Sequence, residues 1–376
     1  MKISEVDINC VSGEADSSGM VFYDCRTAPF ELTGLAVRKD GKFSRFDDEL
    51  EKQARDELVW LASHTSGAMV RFRTSGSRIS LRVKLPGVFM MYHMPLTGSS
   101  GFDIYNGDRF QGLAAPSALT ETEYERTADL TFPADSDGMH DITIGFPLYN
   151  SVTSLEIGLE KDRILEKPKK HKHGKVVFYG SSITQGGVAS RPGCNYANIL
   201  ARQLDFELVN LGFSGNAFGD SYIADYIASM PMAAFVMDYD FNARSLEELE
   251  NTHLPMYRAV REKQPGVPII FMTNPVVNVY ISEQTNAKRA EIIMRTYQTA
   301  LDSGDRHVAF IDGHKLLGTD ERDSCTTDRL HPNDLGFMRM AQTVYPYLSE
   351  CSDEKRIKTL PLPDNRDMKG RGNFYV

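Results

Sequence analysis

Cysteine is scarce in this chain, and the few cysteines form no pattern. The 376 residues contain five, Cys10, Cys25, Cys194, Cys325 and Cys351, and no two of them make a C-x-x-C pair. An odd number of scattered cysteines argues against a disulfide framework and against a structural zinc site. We therefore expect a chain that folds in a reducing environment.

Long apolar runs and an excess of positive charge are also missing. No run approaches the roughly 18 to 20 apolar residues that a membrane-spanning helix needs. The 42 Lys and Arg residues against 51 Asp and Glu residues give a formal net charge of −9, which disfavours a nucleic-acid partner. The first residues, MKISEVDINCVSGEADSSG, are polar and acidic where a secretory signal is apolar. We expect a cytoplasmic protein with neither a membrane nor a nucleic acid as its partner.

The first part of the chain, residues 1–165, has the rhythm of an all-β sandwich. Short runs rich in Val, Ile, Phe, Thr and Tyr alternate with clusters of Gly, Pro, Ser and Asp. Residues 68–74 and 78–85 alternate apolar with polar side chains on either side of a Ser-Gly-Ser turn, which predicts a hairpin. Residues 141–146 and 152–159 predict two further strands, and Trp60 is predicted to lie in the core.

A polar, basic stretch, KDRILEKPKKHKHG, follows the sandwich. Two histidines with no other ligand nearby do not make a metal site, so we interpret this stretch as a solvated linker. The predicted division is a jelly-roll-like sandwich at 1–165, a linker at 166–174, a second domain at 175–350 and an extended tail at 351–376.

The second domain alternates buried strands with helices. Apolar runs occur at residues 175–179, 207–211, 233–237, 267–272 and 308–311, separated by about the length of a crossover helix. This pattern predicts a three-layer, flavodoxin-like α/β domain with a parallel sheet. A final helix is expected at 335–348, capped by Asn333 or Asp334.

Polar residues follow the first predicted strand. Gly180 allows a sharp turn, and Ser181 or Ser182 then stands at a helix entrance, where backbone N–H groups favour negative charge. A nucleophile at this position would have a stabiliser for an oxyanion beside it. The residues leave both serines open, and the spacing from Gly180 favours Ser182.

The last junction of the domain predicts an acid-base pair. In Asp328-Arg329-Leu330-His331-Pro332 a carboxylate three residues before the histidine can hold the imidazole Nδ1–H, so that Nε2 faces outward as a base. His314, two residues after Asp312, is the alternative base. Asp238 and Asp240, which end the third strand, are expected to be buried turn residues.

Taken in order, these blocks resemble the SGNH (GDSL-type) hydrolase superfamily over about residues 175–350. The resemblance implies a nucleophile at Ser182, a general base at His331 and an orienting carboxylate at Asp328. It places the oxyanion among the N–H groups of Ser182 and Gly215 and the side-chain amide of Asn242, with no metal or cofactor. The segment at 101–105, Gly-Phe-Asp-Ile-Tyr, is similar to the G-x-D-L-Y signature of a sandwich found with some of these enzymes.

Two departures from the family pattern concern the proposed site. Ser181 stands where the family has Asp, and Asp240-Phe241-Asn242-Ala243 stands where it has G-x-N-D. Asn242 is therefore assigned only by its position after the third strand.

The expected function is that of a serine esterase acting through an acyl-enzyme. Its substrate would be a small molecule carrying short acyl groups, acetyl foremost, on a carbohydrate. A lipase, lysophospholipase or thioesterase of the same fold is the alternative, and an inactive carbohydrate-binding protein is the rival from another class. The sequence leaves two points open: whether the loop from Tyr92 to Asp103 shapes the substrate cleft, and whether the chain forms a homo-oligomer.

Overall fold

The amino-terminal part of the molecule is a sandwich of two antiparallel sheets, seen in a computed structural model that describes residues 9–275 and 281–351. One sheet has the order β1-β11-β6-β9, and the other has the order β12-β5-β10-β7-β8 with β2 paired to β5. The strands are β1 Met20–Asp24, β2 Glu31–Thr33, β3 Ala36–Val37, β4 Phe43–Ser44, β5 Met69–Thr74, β6 Arg78–Lys84, β7 Phe102–Asn106, β8 Arg109–Ala114, β9 Glu123–Asp129, β10 His140–Gly145, β11 Ser154–Glu160 and β12 Leu165–Glu166. Short helices connect them: α1 Asp48–Glu51, α2 Asp56–Ala62 and α3 Leu96–Ser99.

The hairpin predicted for residues 68–85 is wrong. Strands β5 and β6 belong to different sheets, so the chain crosses the sandwich at Ser75–Ser77 instead of turning back beside itself. Each strand has one apolar face, and Phe72 of β5 and Leu81 of β6 lie in the same core. Alternation marks which face is buried, but it does not distinguish an edge-to-edge pair from two strands that face each other across a core.

The carboxy-terminal part is a three-layer α/β domain. Its parallel sheet has the order β14-β13-β15-β16-β17, and separate apolar cores lie on its two faces. The strands are β13 His173–Gly180, β14 Phe206–Gly212, β15 Ala234–Asp238, β16 Ile269–Met272 and β17 Val308–Ile311. The helices are α4 Ser182–Gln185, α5 Tyr196–Leu204, α6 Ser221–Ser229, α7 Leu246–Lys263, α8 Glu283–Asp302 and α9 Asp334–Cys351. The predicted fold class, a sandwich followed by a flavodoxin-like domain, is confirmed.

All five parallel strands were expected within a few residues of their observed ends. The last helix begins at Asp334, and the Asn333 side chain accepts the N–H of Gly336 at 3.2 Å, so Asn333 is its cap. No helix in the described ranges is both long enough and apolar enough to cross a membrane.

Buried polar contacts join the two parts. Asp103 and Tyr105, from the segment similar to G-x-D-L-Y, both contact Arg191, and Asp103 Oδ2 also accepts the N–H of Gly193 at 2.7 Å. A second contact is made by Arg45, whose guanidinium donates to the carbonyl oxygens of residues 61, 210 and 212. Burial lowers the pKa of Arg45 to about 9. The sandwich is therefore docked on the parallel sheet through specific hydrogen bonds.

The stretch predicted as a linker, residues 166–174, is joined to the sandwich at one end and to the parallel sheet at the other. Strand β12 pairs with β5 of the sandwich, and His173 opens the first parallel strand. Within the stretch, His171 is hydrogen-bonded to Asp205 at 2.8 Å. The division at 166–174 stays a prediction, and the predicted tail lies outside the described residues beyond Cys351.

Candidate active site

The turn after β13 presents its two serines in different ways. Gly180 is required there because a Cβ atom would collide with the side chain of Thr184 and the backbone of Asp238. The Ser181 side chain accepts the N–H of Ile183 at 3.2 Å and so caps the short helix α4. Ser182 is the first residue of that helix. The departure from the family pattern at position 181 thus supplies a helix cap.

Ser182, His331 and Asp328 form one chain of hydrogen bonds. Ser182 Oγ lies 3.0 Å from His331 Nε2, although the two residues are 149 positions apart. His331 Nδ1 lies 2.8 Å from Asp328 Oδ2. The three side chains that the sequence pattern selected are therefore brought together at the carboxyl ends of the parallel strands.

The turn from Asp328 to His331 holds the carboxylate in place. Its Oδ1 accepts the backbone N–H groups of Leu330 and His331 at 3.1 and 2.7 Å, which leaves Oδ2 for the imidazole. Burial opposes ionisation of Asp328, but the hydrogen bonds from the backbone and ring of His331 lower its pKa below the ordinary value. A charged carboxylate beside Nδ1 favours the tautomer in which Nε2 can accept a proton.

The loop after β14 lies against the Ser182 turn. The N–H of Phe213 donates to the carbonyl of Gly180 at 2.8 Å, and the N–H of Ser214 donates to Gln185 Oε1 at 2.9 Å. Gly215 follows in the left-handed region, with φ at +67°. This is the loop in which the resemblance places an oxyanion donor.

Asn242 is tied to the same loop. Its Oδ1 accepts the N–H of Ala217 at 3.3 Å, which fixes the orientation of the amide and leaves Nδ2 as the donor. The proposed oxyanion roles of Ser182, Gly215 and Asn242 stay a prediction.

Asp238 and Asp240 are buried and hydrogen-bonded. Asp238 Oδ2 accepts the hydroxyl protons of Thr184 and Tyr196, both at 2.8 Å, and burial raises the pKa of Asp238 to about 7. Asp240 accepts the side-chain amide of Asn274 at 3.0 Å. Both carboxyl groups hold the ends of strands in place near the Ser182 turn.

His314, the alternative base, lies in a single helical turn after β17, where its N–H donates to Asp312 at 3.1 Å. The hydroxyl of Ser182 bonds to His331 instead. The prediction for Trp60 is wrong, because the side chain is 62% exposed and makes an edge-to-face contact with His64. Helix α2 is amphipathic, and Trp60 lies on the side away from its buried residues.

The sandwich contributes residues to the site that the sequence did not reveal. The Tyr149 hydroxyl donates to the carbonyl of Ser182 at 3.1 Å. The Gln185 amide lies between the sandwich and the α/β domain, where it contacts His64 and donates to the carbonyl of Leu148. Burial lowers the pKa of His64 to about 3, so this histidine is neutral. No local motif marks these residues, because each acts only through the docking of the two parts.

His93 lies directly beside the hydrogen-bonded chain. Its Nε2 is 3.9 Å from Asp328 Oδ2, and its ring stands edge-to-face against His331 at 5.4 Å between centroids. It belongs to the loop from Tyr92 to Asp103, whose Gly, Ser and Thr content was the one available signal. Together with Asp328 and His331 it forms a group of the described residues that could hold a metal ion.

Three large apolar side chains that shortly precede His93 in the sequence are exposed to solvent. Phe89, Met90 and Tyr92 are 67%, 74% and 85% exposed, and the ring of Tyr92 stacks on His93 at 4.3 Å. We call these three residues the apolar rim. Exposed apolar patches often mark binding sites, so the apolar rim offers a contact surface for an apolar group of a substrate.

The two parts of the chain match two family models. The GDSL-like lipase/acylhydrolase family matches residues 173–349, and the amino-terminal domain of SGNH-hydrolase-type esterases, named GxDLY, matches residues 20–165. No curated protein matches the chain significantly.

Solved structures share the whole arrangement. A protein from Bacteroides ovatus ATCC 8483, described as a GDSL-like lipase, is 26% identical over 88% of this chain and 98% of its own, with a TM-score of 0.77. The salicylyl-acyltransferase SsfX3 from a tetracycline biosynthetic pathway is 18% identical over 91% of this chain and 100% of its own, with a TM-score of 0.75. A family two carbohydrate esterase from Cellvibrio japonicus is 14% identical over 89% of this chain and 98% of its own, with a TM-score of 0.57. Residues 173–349 are therefore a hydrolase domain of the GDSL-like lipase/acylhydrolase type, and the GxDLY domain of SGNH-hydrolase-type esterases precedes it at residues 20–165.

Proposed function

We propose that the chain is a serine esterase that removes short acyl groups, acetyl foremost, from the hydroxyl groups of a carbohydrate. The observation that carries the proposal is the uninterrupted chain of hydrogen bonds from Ser182 Oγ through His331 to Asp328 Oδ2, at 3.0 and 2.8 Å. We propose 1–165 and 175–350 as the two domains, and a cytoplasmic location.

The reaction follows from these positions. Ser182 Oγ attacks the ester carbonyl while His331 Nε2 takes its proton, and the same proton then passes to the leaving alkoxide. Water repeats the sequence on the acyl-enzyme and releases the carboxylic acid. Asp328 stays ionised throughout and stabilises the imidazolium that forms in each half of the reaction.

The oxyanion would be bound by the N–H groups of Ser182 and Gly215 and by Asn242 Nδ2. The first of these lies at the start of a helix, where no carbonyl of the preceding turn accepts it. Each such donor is worth about 3 to 4 kcal/mol in the transition state, or about 100- to 1000-fold in turnover. In this mechanism the protein groups alone supply the acid-base chemistry.

The choice of substrate is supported by the comparison with known proteins, because carbohydrate esterases are among the proteins of similar fold. The apolar rim favours a second candidate, a lipase-type or thioesterase substrate with a longer acyl chain.

A substrate panel tests both candidates. Full-length protein is assayed on acetylated mono- and oligosaccharides and on p-nitrophenyl esters whose acyl chains have two to twelve carbons. We expect the highest kcat/KM on acetyl esters and release of acetate from at least one sugar. A maximum of kcat/KM at acyl chains of eight carbons or more would favour the second candidate, the longer-chain substrate. Failure of a fluorophosphonate to label Ser182, together with no turnover on any ester, would favour the inactive binding protein.

A further inference from the structure

Asp328 Oδ2 faces two imidazole rings that come from different parts of the fold. His331 Nδ1 lies 2.8 Å away on the same turn, and His93 Nε2 lies 3.9 Å away on the sandwich loop. The other oxygen of Asp328 is held by two backbone N–H groups, so the carboxylate keeps this orientation. The mechanism described above uses only one of the two rings.

The second ring lacks a hydrogen bond that would explain its position. His93 Nδ1 is buried without a partner among the described residues, while the ring stacks on Tyr92 and makes an edge contact with His331. Burial of a polar nitrogen without a partner costs free energy. The protein thus holds a second imidazole beside the carboxylate although no hydrogen bond accounts for it.

The three facing atoms have the composition and spacing of a zinc site. Two imidazole nitrogens and one carboxylate oxygen lie within 4.8 Å of one another. Zinc bonds of about 2.0 to 2.1 Å in tetrahedral geometry place ligand atoms about 3.3 Å apart, between the 2.8 and 3.9 Å observed here. Side-chain shifts of less than about 1 Å would close the site around an ion.

The site is reachable from the cleft, because the side chains of His93, Asp328 and His331 are 13%, 16% and 16% exposed. We propose that Zn²⁺ binds between His93 Nε2, Asp328 Oδ2 and His331 Nδ1 and reversibly inhibits the enzyme. The inhibitory part of this proposal rests on the proposed function of Ser182 and His331.

Inhibition follows from the tautomer of His331. A metal ion on Nδ1 takes the lone pair there, so the single ring proton of the neutral imidazole moves to Nε2. That nitrogen then faces Ser182 Oγ as a donor and cannot accept the hydroxyl proton. The bond from Asp328 to Nδ1–H is lost at the same time. A water molecule would occupy the fourth tetrahedral position.

Zinc inhibition of the full-length enzyme tests the proposal. Hydrolysis of p-nitrophenyl acetate is measured at buffered free Zn²⁺ concentrations, with reversal by EDTA, for wild type, His93→Ala, His93→Gln and His173→Ala. His173 is the control, because it lies at the opposite end of β13 from Ser182. We expect Zn²⁺ to inhibit wild type and His173→Ala equally, and both His93 variants to need at least about tenfold more Zn²⁺ for half inhibition. Equal sensitivity of the His93 variants and wild type would overturn the proposal.

Direct binding separates this proposal from the esterase assignment. Calorimetry with ZnCl₂ is carried out on Ser182→Ala, which keeps all three ligands, and on the double variant Ser182→Ala/His93→Ala. One zinc per chain in the first and at least about tenfold weaker binding in the second supports the site. No binding to the first at 1 mM ZnCl₂ would overturn the site even if the esterase is active. His93-dependent binding in a wild-type chain without esterase activity would overturn the proposed function and leave the metal site standing.

Discussion

The two parts of the molecule contribute to the site in different ways. The α/β domain supplies Ser182, Asp328 and His331 from turns at the ends of its strands, and each residue is held by contacts within its own turn. The sandwich supplies His93 and Tyr149 from loops, and they reach the site only because the two parts are docked.

The two parts of the chain therefore have different roles at the site. Groups that move protons or bind an oxyanion need positions fixed by local geometry, which the strand-end turns provide. Groups on the sandwich loops surround those positions and set what can approach them. We therefore expect changes of Ser182, Asp328, His331 and Asn242 to affect turnover, and changes in the sandwich loops to affect stability, substrate range or zinc sensitivity.

Ser181 and Ser182 form a matched pair of sites for substitution, and we expect the largest effect at Ser182. Ser182→Ala should lower kcat/KM on p-nitrophenyl acetate by about 10⁴-fold or more, because the proposed nucleophile is lost. Ser181→Ala removes only a helix cap, so it should cost about 1 kcal/mol of stability and less than tenfold in rate. Thermal unfolding of both variants is the control for folding. Equal losses of rate would contradict the assignment.

Substitutions of Asn242 test its proposed role as the third oxyanion donor. Asn242→Ala and Asn242→Asp should each lower kcat by about 100- to 1000-fold with little change in KM, because both lack the amide donor. Asp keeps an oxygen that can accept the Ala217 N–H, but it adds a negative charge beside the oxyanion, so its loss should be at least as large as that of Asn242→Ala. An unchanged kcat in either variant would move the third donor elsewhere.

Protonation of Asp238, near the Ser182 turn, should make the stability of the fold depend on pH. Its pKa is about 7 in the folded chain, against an ordinary value of 3.8, so the folded state binds the proton more tightly. Asp238 therefore contributes its full stabilisation below about pH 4, and this contribution is lost as the pH rises to about 7. The free energy of unfolding changes by up to about 4 kcal/mol over this range.

Asp238→Asn should remove that slope, because an amide does not titrate in this range. Its oxygen can still accept the hydroxyl protons of Thr184 and Tyr196, so the local hydrogen bonds are kept. Urea unfolding at pH 4 to 8 compares the two proteins. A difference between variant and wild type that stays constant over this range would show that Asp238 does not titrate there.

Tyr149 should give the smallest effect. Tyr149→Phe removes one hydrogen bond to the carbonyl of Ser182, which keeps the N–H groups of Gly186 and Gly187 as donors at 3.1 and 2.8 Å. We expect a loss of about 1 kcal/mol in stability and less than tenfold in kcat/KM. A loss beyond 100-fold in kcat would mean that the sandwich takes part in the chemistry.

Short-range patterns predicted the α/β domain and the pair of Asp328 with His331, whereas the resemblance to the SGNH superfamily supplied the pairing of Ser182 with His331 across 149 positions. Each parallel strand contains a short apolar run, such as AFVM at residues 234–237 of β15, and Asp328 and His331 are three residues apart on one turn. The path of the sandwich could not be predicted in the same way. The alternation in β5 and β6 is the same whether the strands pair or face each other, and His93 approaches His331 across 238 positions of the chain.

The same limit explains the error at Trp60. A single large apolar residue is usually buried, but here the buried side of a short helix is set by Leu58 and Leu61, and Trp60 lies between them in sequence on the outer side. Contacts formed by docking two domains leave no periodic signal in either one.

Active-site labelling followed by peptide mass spectrometry shows which serine is the nucleophile. A fluorophosphonate should modify wild-type protein once, at Ser182, and should modify Ser181→Ala equally well. The label should be absent from Ser182→Ala and at least about 100-fold slower to form in His331→Ala, because the hydroxyl then has no base. A label on Ser181, or full esterase activity in Ser182→Ala, would contradict the account.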